Sequence, residues 1–251
     1  MPAGVAAICT TRHGGGSRPP FDELNLGEHV GDDPLAVAAN RLQLQRELGA
    51  RAVFLNQVHG TAVVDLDASS PNGLQADACL TRVPLVACTV MVADCLPVLI
   101  CSAQGDYVGA AHAGWRGLAQ GVLEQTLAAF WQRQTNPGLA PDRASSGLAQ
   151  QTLVWLGPCI GPQAFEVGPE VRAAFLAQQP GCESHFVACG AGKYLADLAA
   201  LARQRLHAMG VSQIYGNDSG PSWCTVRNAS NFFSHRRDRV SGRLAACIWR
   251  T

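Results

Sequence analysis

The stretch from Met91 to Gly117, MVADCLPVLICSAQGDYVGAAHAGWRG, constrains this chain more than any other. It holds two apolar, strand-like runs, each carrying one residue able to bind a metal, and ends in a glycine-rich entry to a helix. Runs this apolar read as buried strands. The longer run, Pro84 to Cys101, approaches membrane-spanning length, but Asp94 and Pro97 interrupt it. It therefore reads as two buried strands, or one bent one. If the runs bearing Cys95 and His112 lie side by side, a thiolate and an imidazole converge where the chain turns into the helix, a usual place for α/β ligand sites.

At 251 residues the chain suits one large domain, residues 1–251, of α/β class with α+β as the alternative. Hydrophobic residues make up 47% and charged residues 15%, with zero formal net charge. Bulk charge therefore gives no reason to expect nucleic acid or a membrane surface as partner. Lys193 is the sole lysine, so a Schiff-base mechanism has one candidate, whereas arginines for bidentate anion recognition are plentiful. Ten cysteines would suit a small secreted disulfide scaffold, but the chain is large and its start lacks the pattern of a secretory signal. A reducing cytoplasm is the expectation, with Cys79, Cys88, Cys101 and Cys247 as small buried hydrophobes.

Along the chain, GVAAICTTR reads as a strand, followed by a glycine- and proline-rich loop with His13 and His29 that is a surface connection or a flap. Asp33 and Pro34 open a helix that ends at Gly49, with Leu35, Ala38, Leu42 and Leu48 at helical spacing. AVFLNQVHGTAVVDLD reads as two β segments with Asn56, Gln57 and His59 at the break. A helix is predicted from Gly114 to about Gln134 with Leu118, Val122, Leu127, Phe130 and Trp131 on one face, and TNPGLAPDRASSG after it is a loop. A strand and tight turn around Cys159, a short strand with Phe165 and Glu166, a helix opened by Pro169, another from Tyr194 to Met209, a strand with Ile214 and Tyr215, and a last strand RLAACIW complete the reading.

Zinc takes imidazole nitrogen and thiolate sulfur, and a catalytic zinc uses three protein ligands with one position open. His59, Cys95 and His112 would supply that set, each following an apolar run. Spacing leaves a second reading open, a core cysteine and unrelated loop histidines, since neither Cys-x-x-Cys nor His-Glu-x-x-His occurs. Asp94 is a carboxylate that could orient an imidazole, or a turn residue. Arg116 is placed to hold an anion, or is a solvated helix arginine. Arg236 and Arg237 form a charge run that Phe232 and Phe233 could anchor and aim inward. Cys159, in a Gly-Pro-Cys-Ile-Gly turn, is either a nucleophile or a small packed side chain.

The blocks NQVHG, ADACLT, ADCLPV, AHAGWRG, GPCIGP with FEV, and FFSHRRD with GR after it follow one another over most of the chain. Together they resemble the YfiH family, also labelled polyphenol oxidoreductase or laccase-domain proteins. The resemblance implies an α/β fold of mixed sheets with flanking helices, and a zinc site on His59, Cys95 and His112. It further implies phosphorolysis of adenosine, inosine or methylthioadenosine to base and ribose 1-phosphate, with adenosine deamination beside it. Local chemistry then nominates Arg116, Arg236 and Arg237 for phosphate, and Asn56 and Gln57 for polar substrate contacts. An amide hydrolase editing peptidoglycan precursors, by metal or by a cysteine nucleophile, is the rival that other relatives suggest. A copper polyphenol oxidase is disfavoured, because seven histidines without a His-x-His pair cannot build a trinuclear cluster. Copper could still occupy the His-Cys-His site in vitro. Oligomeric state is left open.

Overall fold

The structure is a computed structural model that describes residues 1–134 and 147–251. The predicted loop TNPGLAPDRASSG falls almost entirely outside the described residues. Three sheets carry the architecture. The first has the order β1 (Val5–Cys9), β13 (Leu244–Arg250), β5 (Val86–Val92), β2 (Arg51–Phe54). The second has the order β12 (Gln213–Gly216), β8 (Thr152–Leu156), β6 (Leu96–Ser102), β7 (Val108–Ala113), β4 (Ala78–Thr81), β3 (Val63–Asp65). A small third sheet joins β10 (Phe186–Gly190), β11 (Lys193–Ala196) and β9 (Glu166–Val167). Parallel and antiparallel pairs are mixed within the two larger sheets.

The apolar runs follow from the layering. Side chains alternate across a strand, so a strand buried on both faces shows no polar positions. In β6, Val98 and Ile100 face one core while Leu99 and Cys101 face another; in β13, Ala246 and Ile248 face inward against the second sheet while Ala245, Cys247 and Trp249 face outward. The layer between the two sheets is built largely from small residues, among them Cys79, Cys88, Ala110 and Ala246. All four cysteines expected to be core are buried. Helix α1 (Pro34–Leu48) covers the outer face of the first sheet, and α2 (Trp115–Gln120), α3 (Val122–Gln132), α4 (Pro169–Leu176) and α5 (Leu198–Ala208) cover the outer face of the second. No helix among the described residues is long and apolar enough to cross a membrane.

Three sequence expectations need correction. The inner face of α1 is Val37, Asn40, Leu44 and Leu48, whereas Leu35 is 80% exposed and Leu42 47%. Asn40 belongs inside because its amide donates to Ser17 Oγ, Glu23 O and Asn25 O, holding the loop of residues 11–33 against the helix. The helix after Gly114 is two helices, broken at Gly121, whose φ of +95° only glycine adopts readily. The segment read as a helix from Tyr194 begins as β11, and α5 starts only after Asp197, whose carboxylate accepts from Ala200 N at 2.9 Å.

Candidate metal centre

The antiparallel register of β6 and β7 pairs Leu96 with Ala113 and Pro97 with His112. Cys95, one residue before β6, and His112, near the end of β7, therefore meet at the same sheet end. His59 arrives from the loop between β2 and β3. The three potential ligand atoms lie within 4.8 Å of one another, the one such group of His, Cys, Asp and Glu among the described residues. Cys95 Sγ is 3.7 Å from His59 Nε2. Bond lengths of about 2.3 Å to sulfur and 2.0–2.1 Å to nitrogen place tetrahedral S and N ligands roughly 3.5 Å apart. The imidazoles of His59 and His112 meet edge to face, with centroids 4.8 Å apart.

Two glycines make room for this cradle. A Cβ on Gly114 would lie 2.7 Å from His59 Cδ2 and 3.1 Å from Cys95 Sγ, filling the space between these side chains. A Cβ on Gly117 would lie 2.7 Å from Gly60 O, so helix α2 can approach the His59 loop only without one. The backbone is also forced at the turns that carry His59 and Cys95, with φ of +60° at His59 and +88° at Asp94. Such conformations persist only where surrounding contacts hold them, and they concentrate at functional sites.

Asp77, with no solvent exposure, does the holding. One oxygen of its carboxylate lies 2.8 Å from His112 Nδ1 and accepts from His59 N at 2.9 Å. The other accepts from Gly60 N at 2.7 Å and Val58 N at 3.2 Å. One carboxylate thus orients both imidazole-bearing segments and leaves His112 Nε2 for a ligand. Burial alone would push the Asp77 carboxyl up, but the His112 and Gly60 hydrogen bonds hold it below its usual range. Asp94, nominated from sequence to orient an imidazole, has another task. Its carboxylate accepts from Thr225 Oγ1 at 2.6 Å and Arg236 N at 2.6 Å, tying the Cys95 turn to α6 (His235–Asp238).

Burial would push the Cys95 thiol up, but His112 and then His59 outweigh it and bring it down to about 6. Burial likewise opposes charge on His112, and the Cys95 thiolate and Asp77 carboxylate lift it to about 9. Between those values the metal-free pair is a thiolate with an imidazolium, and a metal binding at neutral pH would displace the imidazolium proton. The half-buried thiol of Cys9 and the buried thiols of Cys88, Cys159 and Cys247 move the other way, upward, chiefly through desolvation. Thiolate absorbance near 240 nm, taken as metal-free wild type minus Cys95→Ala, should therefore rise with a midpoint near pH 6. A midpoint at the ordinary thiol value, about 8.5, would contradict this geometry.

The triad forms part of the wall of a cavity of about 370 Å³, inside the range of small-molecule sites. Trp115, Ile160, Phe165 and Leu198 supply apolar surface; His29, His235, Arg236, Arg239 and Arg243 supply cationic or polar surface. Gln57 lines it too, but its amide is engaged with Met91, donating to O at 2.8 Å and accepting from N at 2.7 Å. Asn56 is exposed, its backbone bridged to Gln75, and it does not line the cavity. Arg116 is exposed and lies over the Trp115 ring, 4.4 Å from its centroid, outside the lining. Arg237 turns away, donating to Thr225 O, Val226 O and Phe232 O and pairing with Asp238. Cys159 is buried, with Asn217 Nδ2 donating to its sulfur at 3.4 Å and its thiol pushed well up, which suits packing rather than attack. Sequence reasoning passed over Asp77, Arg239 and Arg243. For Asp77 the signal was a carboxylate inside the otherwise apolar ADACLT.

Comparison with known proteins agrees with this architecture. The family model described as multi-copper polyphenol oxidoreductase laccase matches residues 6–251. The Escherichia coli (strain K12) protein named purine nucleoside phosphorylase YfiH is 48% identical over 251 residues, covering 99% of this chain and 95% of that protein. A purine nucleoside phosphorylase of Pseudomonas aeruginosa is 48% identical over 249 residues, covering 99% and 94%. A crystal structure of a Neisseria meningitidis protein superposes with a TM-score of 0.89 at 44% identity, covering 99% of this chain and 95% of that one. A match over nearly the whole chain, in sequence and in fold, means that this protein belongs to the laccase-like family that includes YfiH.

Proposed function

We propose that this chain, acting as one domain, is a zinc-dependent purine nucleoside phosphorylase, and the observation that carries the reading is the His59–Cys95–His112 cradle opening onto a cavity with one apolar and one cationic wall. Relatives 42–48% identical to it bear the name purine nucleoside phosphorylase. The donor set of two imidazoles and one thiolate, with space that a Cβ at residue 114 would fill, fits zinc. When bound, zinc would supply a Lewis acid at the cavity wall, polarising an oxygen of the substrate. The rest is the chain's own work. Phe165 and Trp115 offer aromatic surface to a planar base, and arginine offers charge to phosphate. In phosphorolysis a phosphate oxygen bonds to C1′ of the ribose as the C1′–N9 bond breaks, and the electron pair leaves with the base, which takes a proton. Adenosine deamination is proposed as a side activity of the same cavity.

A second reading, amide hydrolysis with Cys95 as nucleophile and His112 as base, draws on the same thiolate–imidazolium pair. Multi-copper oxidation, which the family description names, lacks ligands among the described residues beyond this one cluster. Incubating the zinc-loaded protein with adenosine, with and without phosphate, separates these. Adenine and ribose 1-phosphate, formed only with phosphate, are expected. Inosine as the main product would make deamination primary, and neither product would move the assignment to amide hydrolysis.

A further inference from the structure

We infer that Arg243 and Arg239, two residues outside the run nominated from sequence, form the subsite that holds orthophosphate in this cavity; the inference rests on the phosphorolysis reading for its ligand. Three guanidinium groups line the cavity, and they are not equivalent. Arg236 donates to Glu166 O at 3.0 Å and Ala164 O at 3.4 Å and lies over Phe165, 5.6 Å from the ring centroid. It braces the apolar wall.

Arg243 is held differently. Its backbone N donates to Asn25 Oδ1 at 2.9 Å, and its carbonyl accepts from Leu26 N at 3.2 Å. Its stem lies against Gly27, where a Cβ would come within 2.7 Å of Arg243 Cγ. Nη1 donates to Ser241 O at 2.9 Å and Gly242 O at 3.1 Å, while Nε and Nη2 have no hydrogen-bond partner among the described residues. The side chain is fixed at its stem and one nitrogen, with an unused pair of donors on a partly buried charge. Asp94 and the Cys95 thiolate attract that charge, but no carboxylate pairs with it, and the Asp94 oxygens already accept from Thr225 and Arg236. Those two nitrogens are not sealed from solvent, so they stand ready to exchange water for the oxygens of an anion in the cavity.

Arg239 adds a second, independent oddity. Its φ is +61° and ψ −57°, and Val240 N donates to Asp238 O at 2.7 Å across it, which is a γ-turn of the strained, positive-φ kind. A non-glycine residue in that conformation costs energy and calls for a reason in the site. Here the turn sets an arginine at the cavity rim, its guanidinium without hydrogen-bond or ion-pair partner among the described residues. His29 completes the surface from the N-terminal loop. Burial first, then the Arg243 and Arg41 cations, disfavour charge on it, so it faces the subsite as a neutral imidazole able to donate or accept. Paired guanidinium forks match the geometry of a tetrahedral oxyanion, which an ammonium would meet only as a point charge.

The test uses zinc-loaded full-length protein and inorganic phosphate, titrated by calorimetry without nucleoside and then kinetically with saturating inosine. Arg243→Gln should weaken phosphate binding roughly tenfold or more, the scale of a lost charge-assisted hydrogen bond, and the exposed Arg239→Gln should weaken it less. Arg243→Lys should recover part of the loss, since charge returns without the fork. Zinc content and the inosine KM at saturating phosphate should stay at wild-type values. Unchanged phosphate affinity in both glutamine variants overturns the subsite, and so does a raised inosine KM with phosphate affinity intact. If phosphate binds and weakens as stated while no nucleoside is cleaved, the subsite stands and the phosphorylase reading falls. If nucleoside is phosphorolysed while both variants bind phosphate normally, the reverse holds.

Discussion

Cys95→Ala should leave a folded protein that holds no stoichiometric zinc and has lost its phosphorolytic activity. Cys95 is half-buried, supplies the single sulfur of the cradle, and sits 3.7 Å from His59 Nε2. Losing the carboxylate behind a metal-binding histidine already weakens metal binding by about 10–100-fold, and losing a ligand outright exceeds that. The variant removes little apolar contact, so the fold should survive. Metal analysis after dialysis and thermal unfolding with and without a chelator check this. Zinc that binds only the folded protein raises wild-type Tm, so a chelator should lower it, whereas the variant should not respond. Wild-type enzyme stripped of zinc yet fully active, together with an inactive Cys95→Ala, would instead identify the sulfur as a nucleophile.

Asp77→Asn should weaken zinc binding by roughly 10–100-fold and also lower stability. The Asp77 carboxylate accepts from three backbone N–H groups, of Val58, His59 and Gly60, besides facing His112 Nδ1. An asparagine amide must point its NH2 either at the Val58 and Gly60 N–H groups or at the imidazole, leaving buried donors unsatisfied at about 1–3 kcal/mol. Urea unfolding of the metal-free protein reads the stability part, and competition with a chromogenic chelator reads the zinc part. Lower stability with zinc affinity unchanged would reduce Asp77 to a loop anchor and would count against its role in orienting His112.

The meeting of Cys95 and His112 was legible because both close apolar runs whose strand character is strong, and antiparallel pairing of neighbouring runs brings such ends together. The partner of His112 was not. Asp94 stands beside Cys95 in sequence, but the β4–β7 register sets Ala78 against Ala111 and so delivers Asp77 to the imidazole. Sequence adjacency competes poorly with register. The arginines failed for a related reason. Within HRRDR nothing distinguishes one guanidinium from the next, and the sorting comes from a helix of four residues that folds Arg237 back onto carbonyls and from the γ-turn that turns Arg239 to the rim. The inner face of α1 did not follow from the helical spacing of Leu35, Ala38, Leu42 and Leu48, because the hydrogen bonds of Asn40 with the N-terminal loop made a polar residue an interior one and left Leu35 and Leu42 exposed.

The strand order of the first sheet bears on how the protein is made. Strand β13 is the latest strand among the described residues, yet it lies between β1 and β5, and β1 has no other partner among them. On the ribosome, Val5–Cys9 must wait for Leu244–Arg250 to emerge before its backbone can pair. Long-range pairing of this kind is slow and leaves strand edges exposed in the growing chain. Arg243, which borders β13, reaches its place beside Asn25 and Gly27 in the same closing event. The nascent chain can therefore bring Cys95 and His112 together well before its cavity has a cationic wall, so a metal could be captured before the enzyme is able to bind phosphate.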